Sequence, residues 1–245
     1  MTCQGKVAVV TGAAGNGMGR SIALTLAREG AKAVVNYRAS ELSARAIVSA
    51  IEERGGTAVA VQADVFEADG CRKLVDAAAE RFGSVDILII GPGAGWHPEP
   101  IEALDASAAL DDAHNELAPI YHLIPRVLPG MYERKWGRVI AIALAPPYNS
   151  PAYAYNVAKV ARANALALAR DQAWQHGVTL NTIGPGPVPE IGTLEGAVEQ
   201  CDHGAAWRNR TTTSPQDIAE SVAFLCSEAG RFISGGVIPF LHTDL

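Results

Sequence analysis

The chain has 245 residues, of which 49% are hydrophobic and 19% charged, a composition that supports a sizeable folded domain and excludes an intrinsically disordered chain. Its 20 basic and 26 acidic residues give a net charge of -6 without a basic cluster, which argues against binding to nucleic acid or to an anionic membrane. The sequence lacks a signal-peptide pattern and a long apolar run. We therefore expect a cytoplasmic protein that acts on small molecules.

The cysteine and histidine positions give no sign of a metal site. The four cysteines, Cys3, Cys71, Cys201 and Cys226, are scattered without a Cys-x-x-Cys pair, and the six histidines lack metal-ligand spacing. We expect reduced, buried cysteines and no bound metal.

Strand and helix patterns alternate along the first 90 residues. "KVAVVT" predicts a strand, "GRSIALTLAREG" a helix ending at Gly30, and "AKAVVNY" a second strand. A helix in "ELSARAIVSAIEERGG", a strand in "TAVAVQADV", a helix around 71–82 and the strand "VDILII" follow. Apolar strands separated by helices are typical of a parallel sheet covered on both faces.

The alternation resumes after an irregular segment that begins at Gly91. We expect a helix at about 111–132, the strand "GRVIAIA", a helix from 151 to about 176, the strand "VTLNTIG", a helix capped by Ser214 with Pro215 in its first turn, and a strand near "GGVIPF". Residues 187–212 are rich in glycine, proline and polar residues, which is typical of a mobile lid. The sequence thus predicts one α/β domain over 1–245, a Rossmann-type doubly wound parallel sheet in three layers.

A glycine-rich turn follows the first predicted strand. In "VTGAAGNGMGR", Gly12, Gly15, Gly17 and Gly19 lie between that strand and the first helix. Glycines let the backbone approach a ligand closely, and a helix N-terminus favours anions. This placement predicts a site for the pyrophosphate of a dinucleotide.

A tyrosine and a lysine four residues apart supply a candidate for proton transfer. Tyr155 and Lys159 share one face of a predicted helix. A fixed ammonium group would lower the pKa of the tyrosine. Tyr155 would then give a proton to a carbonyl oxygen, or take one in the reverse direction.

Together these segments resemble the short-chain dehydrogenase/reductase family, with a general similarity to its 3-oxoacyl-carrier-protein reductases. The glycine turn is similar to the family motif TGxxxGxG with one extra residue, and "YNVAK" matches YxxxK. The resemblance implies that Asn115 holds a water linked to the lysine and that Lys159 also binds the nicotinamide ribose. It further implies cofactor contacts at Gly12, Gly17, Gly19, Asp64, Val65, Gly91, Pro185, Gly186 and Val188.

The end of the second strand indicates which nicotinamide cofactor is bound. Asn36, Tyr37 and Arg38 stand where an acidic residue would select NAD. An arginine offers a planar fork suited to the 2′-phosphate of NADP, and Asn36 adds a neutral donor. We predict NADP(H) in preference to NAD(H), with solvent exposure of Arg38 as the alternative.

Two departures from the family pattern stand out. The strand before the Tyr155 helix ends in Ala143 and Leu144 instead of the family's serine, and loss of such a donor commonly lowers turnover by about 100- to 1000-fold. We interpret Ser150 as a helix cap, and Tyr148 and Tyr153 as candidate substitutes or packing residues. Gly91-Pro-Gly replaces the family's NNAG, which removes an asparagine that ties neighbouring strands. Trp96 and Trp207 are candidates for the substrate pocket or for the core.

Three functions follow from these residues. The first is an NADP(H)-dependent oxidoreductase acting on a carbonyl or secondary alcohol, and the family resemblance implies that it is a homodimer or homotetramer. The second is a divergent enoyl reductase, although residue 152, where that tyrosine would fall, is alanine. The third is a catalytically impaired nucleotide-binding regulator or structural subunit.

Overall fold

Among the described residues, seven parallel strands form one sheet in the interior of the domain. The computed structural model describes residues 1–146, 151–203 and 212–240. The strands are β1 (Val7–Val10), β2 (Lys32–Tyr37), β3 (Thr57–Gln62), β4 (Ile87–Ile90), β5 (Gly137–Ile142), β6 (Val178–Gly184) and β7 (Val237–Pro239). Their order is β3-β2-β1-β4-β5-β6-β7, and every pairing is parallel.

Helices cover both faces of the sheet. They are α1 (Met18–Arg28), α2 (Glu41–Glu52), α3 (Ala68–Phe82), α4 (Ala106–Glu133), α5 (Tyr153–Trp174), α6 (Leu194–His203) and α7 (Pro215–Cys226). One hydrophobic core lies under α1, α2, α6 and α7, and the other lies under α3, α4 and α5. Strands β1, β4, β5 and β6 are buried along their whole length. This burial accounts for the continuous apolar sequences of β1 and β4. The predicted three-layer, doubly wound sheet is confirmed.

Helix ends account for the local differences from the sequence prediction. Helix α4 begins earlier than expected because the Asp105 side chain accepts hydrogen bonds from the backbone N–H groups of Ser107 at 2.8 Å and Ala108 at 3.0 Å. Helix α7 has the expected Ser214 cap, completed by Asp217 in a capping box.

The start of α5 differs from the prediction. Its N-cap is Ala152, so Pro151 precedes the helix and does not open its first turn. The predicted cap, Ser150, lies outside the described residues.

The segment predicted as a lid is described over 187–203 and at 212. It contains α6, whose buried residues Ala197, Val198 and Cys201 face α1. Arg28 donates a hydrogen bond of 2.7 Å to the carbonyl oxygen of Cys201. Helix α6 is therefore docked on the domain, and the mobility of the segment stays a prediction.

All four cysteines are buried and free, and burial raises the pKa of the Cys71 thiol to about 11. Within 1–146, 151–203 and 212–240, no group of three or more His, Cys, Asp or Glu side chains is arranged to hold a metal. Within the same ranges, no helix is both long enough and apolar enough to cross a membrane.

Candidate active site

The order of the strands places a crevice between β1 and β4. The chain leaves β1 toward one side of the sheet and β4 toward the other, so the carboxyl ends of these two strands border the topological switch point. Thr11 ties the two exits together. Its hydroxyl donates to the carbonyl oxygen of Ile89 at 3.0 Å and accepts from the Gly91 N–H at 2.9 Å.

The glycine turn lies at this crevice and needs glycine for two different reasons. Gly12 has a φ of +63°, and a Cβ there would come within 2.6 Å of Pro92 Cγ. A Cβ at Gly19 would lie 2.7 Å from the backbone oxygen of Gly12. Close packing at these two positions holds the turn against Pro92 and holds the start of α1 against the turn.

Gly17 is different because a Cβ there would meet no atom within 4 Å. It is the N-cap of α1, and no side chain caps the helix. The open space before the first turn of α1 therefore lies beside backbone N–H groups, as a phosphate site requires.

The additional residue of the turn is accommodated by bonds to the segment after β6. The Asn16 carbonyl oxygen accepts from the Ile191 N–H at 3.0 Å. Arg20 donates to the Asn16 side chain at 3.3 Å and to the carbonyl oxygen of Ile191. Asn16 in the lengthened turn is thus held by Ile191 of the segment after β6 and by Arg20 of α1.

The predicted adenosine contacts lie at the ends of β2 and β3. The Arg38 side chain is 69% exposed, and its Nη1 lies 3.9 Å from Asp64 Oδ2. Asp64 Oδ1 accepts from the Phe66 N–H at 3.0 Å, so Oδ2 is the oxygen that faces Arg38. Val65 is buried. Arg38 and Asp64 both line an open pocket of about 710 Å³.

Gly91, the predicted cofactor contact after β4, is closely packed. A Cβ on Gly91 would lie 3.0 Å from the backbone oxygen of Thr11.

Asn36 has another role than the sequence suggested. Its Oδ1 accepts from the Gly12 N–H at 3.1 Å, and its Nδ2 donates to the carbonyl oxygen of Ala63 at 3.0 Å. The side chain is 2% exposed. Asn36 links the glycine turn to β3, and it is not a free donor for a phosphate.

The predicted nicotinamide contacts follow β6. Gly186 has a φ of +62°, which favours glycine at this turn. Pro185 is buried and Val188 packs against the first core. The turn lies at the same edge of the sheet as the glycine turn because both follow the carboxyl ends of parallel strands.

Tyr155 and Lys159 lie on one face of α5, as predicted. The Lys159 Nζ is 5.3 Å from the centroid of the Tyr155 ring, and Lys159 is 8% exposed. The expected lowering of the Tyr155 pKa is wrong for this structure. Burial raises the pKa of Tyr155, and the carboxylates of Glu116 and Asp112 raise it further against the opposing effect of Arg162.

The structure places Glu116, not Asn115, against Lys159. Glu116 Oε1 lies 2.8 Å from Lys159 Nζ. Asn115 is half-buried, and no contact among the described residues joins it to Lys159. One residue along a helix turns the side chain by about 100°, so the neighbouring position faces the site instead.

Arg162 is a buried member of the site that the sequence interpretation missed. It is fully buried, and its Nη1 lies 3.0 Å from Glu116 Oε2. Burial lowers the pKa of Arg162, and Glu116 opposes that shift. Lys159 and Arg162 are three residues apart on α5, and Asp112 and Glu116 are four apart on α4. This matched spacing of opposite charges on two largely apolar helices is the sequence pattern from which the buried ion pairs could have been predicted.

No hydroxyl replaces the missing serine among the described residues at the end of β5. Ala143 is buried and donates its N–H to the carbonyl oxygen of Ile183 at 2.9 Å. Tyr153 is 48% exposed and stays a candidate donor. Tyr148 and Trp207 lie outside the described residues.

Trp96 and His97 lie in the segment after β4, and Trp96 packs against Tyr155. The rings of Trp96 and Tyr155 meet edge to face, with centroids 5.0 Å apart. His97 Nε2 lies 2.7 Å from Oδ2 of the buried Asp112. Trp96 is 57% exposed, so it presents an aromatic surface to a molecule bound next to Tyr155.

Several known proteins are similar to this chain in sequence. A model of the short chain dehydrogenase family matches residues 6–193. An uncharacterized oxidoreductase of Methylorubrum extorquens is 33% identical over 252 residues, with 96% of each chain covered. The 3-oxoacyl-(acyl-carrier-protein) reductase of Staphylococcus epidermidis is 30% identical over 241 residues, covering 95% of this chain and 96% of the reductase.

A solved structure is similar along almost the whole chain. A 7α-hydroxysteroid dehydrogenase in complex with NADH and 7-oxo glycochenodeoxycholic acid superimposes with a TM-score of 0.84 at 28% identity, covering 98% of this chain and 94% of that one. The fold, the glycine turn and the Tyr155–Lys159 pair agree with the family match. The chain is a member of the short-chain dehydrogenase family of oxidoreductases.

Proposed function

We propose that this protein is an NADP(H)-dependent oxidoreductase that interconverts a carbonyl compound and a secondary alcohol. The observation that carries this proposal is the position of Tyr155 and Lys159 on one face of α5, next to the crevice bordered by the glycine turn. The open space at Gly17 fits a dinucleotide pyrophosphate. The bound nicotinamide would supply the hydride in reduction and accept it in oxidation.

Tyr155 is the proton donor in this proposal. Its hydroxyl gives a proton to the carbonyl oxygen during reduction, and the phenolate takes a proton from the alcohol during oxidation. The raised pKa keeps Tyr155 in the protonated form that reduction requires. Lys159 would bind the ribose, because an ammonium group has three donors and Glu116 uses one of them.

An enoyl reductase mechanism has less support. The position of the tyrosine in that arrangement is occupied by Ala152, which is 3% exposed and is the N-cap of α5. An alanine side chain has no proton to donate.

Titration with NADPH and NADH tests the cofactor choice. We expect the wild-type protein to bind NADPH more tightly, because the exposed guanidinium of Arg38 would pair with the 2′-phosphate. Arg38→Ala should weaken NADPH binding by about tenfold to a hundredfold and leave NADH binding unchanged. Nicotinamide fluorescence measures both affinities.

Arg45→Ala is the matched control, since Arg45 is exposed on α2 and pairs with Glu41 at 2.7 Å. It should leave both affinities unchanged. Tighter binding of NADH than of NADPH by the wild-type protein would overturn the choice of NADP(H).

We also propose that the protein is a homodimer or homotetramer that pairs through α4 and α5. Tyr121 on α4 is 62% exposed and Leu168 on α5 is 86% exposed, and such apolar side chains are typical of interfaces between subunits. Leu168→Glu should shift the protein to a lower oligomer in sedimentation velocity. Leu42→Glu, at an 86% exposed position on α2, should not, and an unchanged Leu168→Glu sedimentation profile would exclude this interface.

A further inference from the structure

We propose that Glu116 and Arg162 are positioning residues that hold Lys159 and the segment after β4 in the arrangement needed for proton transfer. This inference rests on the proposed function of Tyr155 and Lys159. Neither residue touches the reacting atoms, and both act through their neighbours.

Glu116 is the centre of the arrangement. Its Oε1 accepts from Lys159 Nζ at 2.8 Å and from the Ala94 N–H at 2.6 Å, and its Oε2 accepts from Arg162 Nη1 at 3.0 Å. The side chain is fully buried. One carboxylate therefore joins α4 to α5 and to the segment after β4.

Arg162 completes the connection to β4. Its Nη2 donates to the carbonyl oxygen of Ile90 at 2.6 Å, and its Nη1 donates to that of Pro92 at 2.6 Å. Ile90 is the last residue of β4, so the guanidinium fixes the direction in which the chain leaves the sheet. The planar fork of arginine suits two neighbouring acceptors, whereas a lysine offers no such fork.

Gly93 allows the carboxylate to approach the segment. A Cβ at Gly93 would overlap the carboxyl group of Glu116. The Gly-Pro-Gly sequence is therefore matched to the buried glutamate. The segment that carries Trp96 thus rests on the same carboxylate that holds Lys159.

The charges around Tyr155 are nearly balanced. Glu116 and Asp112 face it from α4, Lys159 and Arg162 from α5, and His97 from the segment after β4 through its bond to Asp112. Removal of Glu116 alone would leave two buried cations next to each other. Such a change is more damaging than removal of the whole pair.

A double-mutant cycle on the full chain tests this inference. The variants are Glu116→Gln, Arg162→Met and the double mutant, with Tm, NADPH affinity, kcat and KM as readouts. Glu116→Gln should lower Tm by about 10 °C and lower kcat more than it raises KM. The double mutant should recover part of the Tm lost by Glu116→Gln, because it no longer leaves Arg162 buried without a partner.

The pH profile of alcohol oxidation separates positioning from simple structural support. The Glu116 carboxylate raises the pKa of Tyr155 and the Arg162 guanidinium lowers it. Glu116→Gln should therefore move the profile to lower pH, and Arg162→Met should move it to higher pH. A merely structural role would change Tm in both variants without these opposite shifts.

Two comparison variants complete the experiment. Glu133→Gln, exposed at the end of α4, should change no readout. Arg162→Lys should lower Tm, since the two carbonyl contacts are lost, and keep the pH profile of the wild type. An unchanged Tm and an unchanged pH profile in Glu116→Gln would overturn the inference. It would also be overturned if Asn115→Ala changed Tm and the pH profile as much as Glu116→Gln does.

Failure of the proposed function gives a different result. If the wild-type protein bound neither NADPH nor NADH, the proposed function would be excluded. The opposite pKa shifts would then be measured by ultraviolet titration of the phenolate, as the difference between each variant and its Tyr155→Phe counterpart. Opposite shifts there would support the placement of Glu116 and Arg162, and their absence would overturn it.

Discussion

Replacement of Tyr155 by phenylalanine is expected to lower kcat by about 10²- to 10⁴-fold and to leave NADPH binding unchanged. Phenylalanine keeps the edge-to-face contact with Trp96 and removes only the hydroxyl that would give its proton to the substrate. Steady-state rates of carbonyl reduction, together with NADPH titration, measure the two effects separately.

The same residue predicts how the rate depends on pH. Burial raises the pKa of Tyr155, and the carboxylates of Glu116 and Asp112 raise it further. The phenol therefore stays protonated at pH values above about 10, the ordinary pKa of tyrosine. Reduction needs the protonated form, so its rate should not fall with pH on account of Tyr155 until that raised pKa is passed. Oxidation needs the phenolate, and its rate should rise with pH throughout this range.

Tyr153→Phe is the comparison, because this tyrosine lies two residues away at the start of the same helix. Its removal should have a small effect on kcat. A larger loss in Tyr153→Phe than in Tyr155→Phe would transfer the proton-donor role to Tyr153. If neither variant lost activity on any substrate, another residue would have to be the proton donor. A wild-type protein without activity on any substrate would instead support the catalytically impaired nucleotide-binding protein considered from the sequence.

The second large effect is expected at the glycine turn, where two alanine substitutions should behave differently. Gly19→Ala should destabilise the free protein by about 1–3 kcal/mol, because the new Cβ would lie 2.7 Å from the backbone oxygen of Gly12. Gly17→Ala should leave the stability of the free protein almost unchanged, since no atom lies within 4 Å of the new Cβ. It should weaken NADPH binding at least tenfold, because the methyl group occupies the space that we assign to the pyrophosphate.

Thermal unfolding without a ligand and fluorescence titration with NADPH separate these two effects. Arg45→Ala, at the exposed site on α2, is the control and should change neither readout. Unchanged NADPH affinity in Gly17→Ala would show that the phosphate does not approach this residue.

The sheet could be predicted from the sequence because its information is local and repeated. Strand and helix patterns alternate along the chain, and β1, β4, β5 and β6 are buried on both faces, so periodicity and burial agree. The predicted start of a helix is less accurate where a side-chain cap determines the first residue of the helix. Because Asp105 caps α4, the helix begins at Ala106, several residues before the expected start at about 111.

The site was predicted only in part, for a physical reason. The spacing of Tyr155 and Lys159 lies within one helix, and therefore it can be read along the chain. The Glu116–Lys159 and Glu116–Arg162 contacts join residues 43 and 46 positions apart, and they depend on how α4 rotates against α5. The direction of the Tyr155 pKa depends on those same contacts, so it could not be derived from the four-residue spacing alone.

The bonds that Asn16 makes have a consequence for protein engineering. Asn16 accepts from the Ile191 N–H at 3.0 Å, and Arg20 contacts both Asn16 and Ile191. The turn after β1 and the segment after β6 are therefore fitted to each other as one unit. A turn of ordinary length grafted from a relative would remove the partner of Ile191, so a functional chimera must exchange residues 13–20 and 187–193 together.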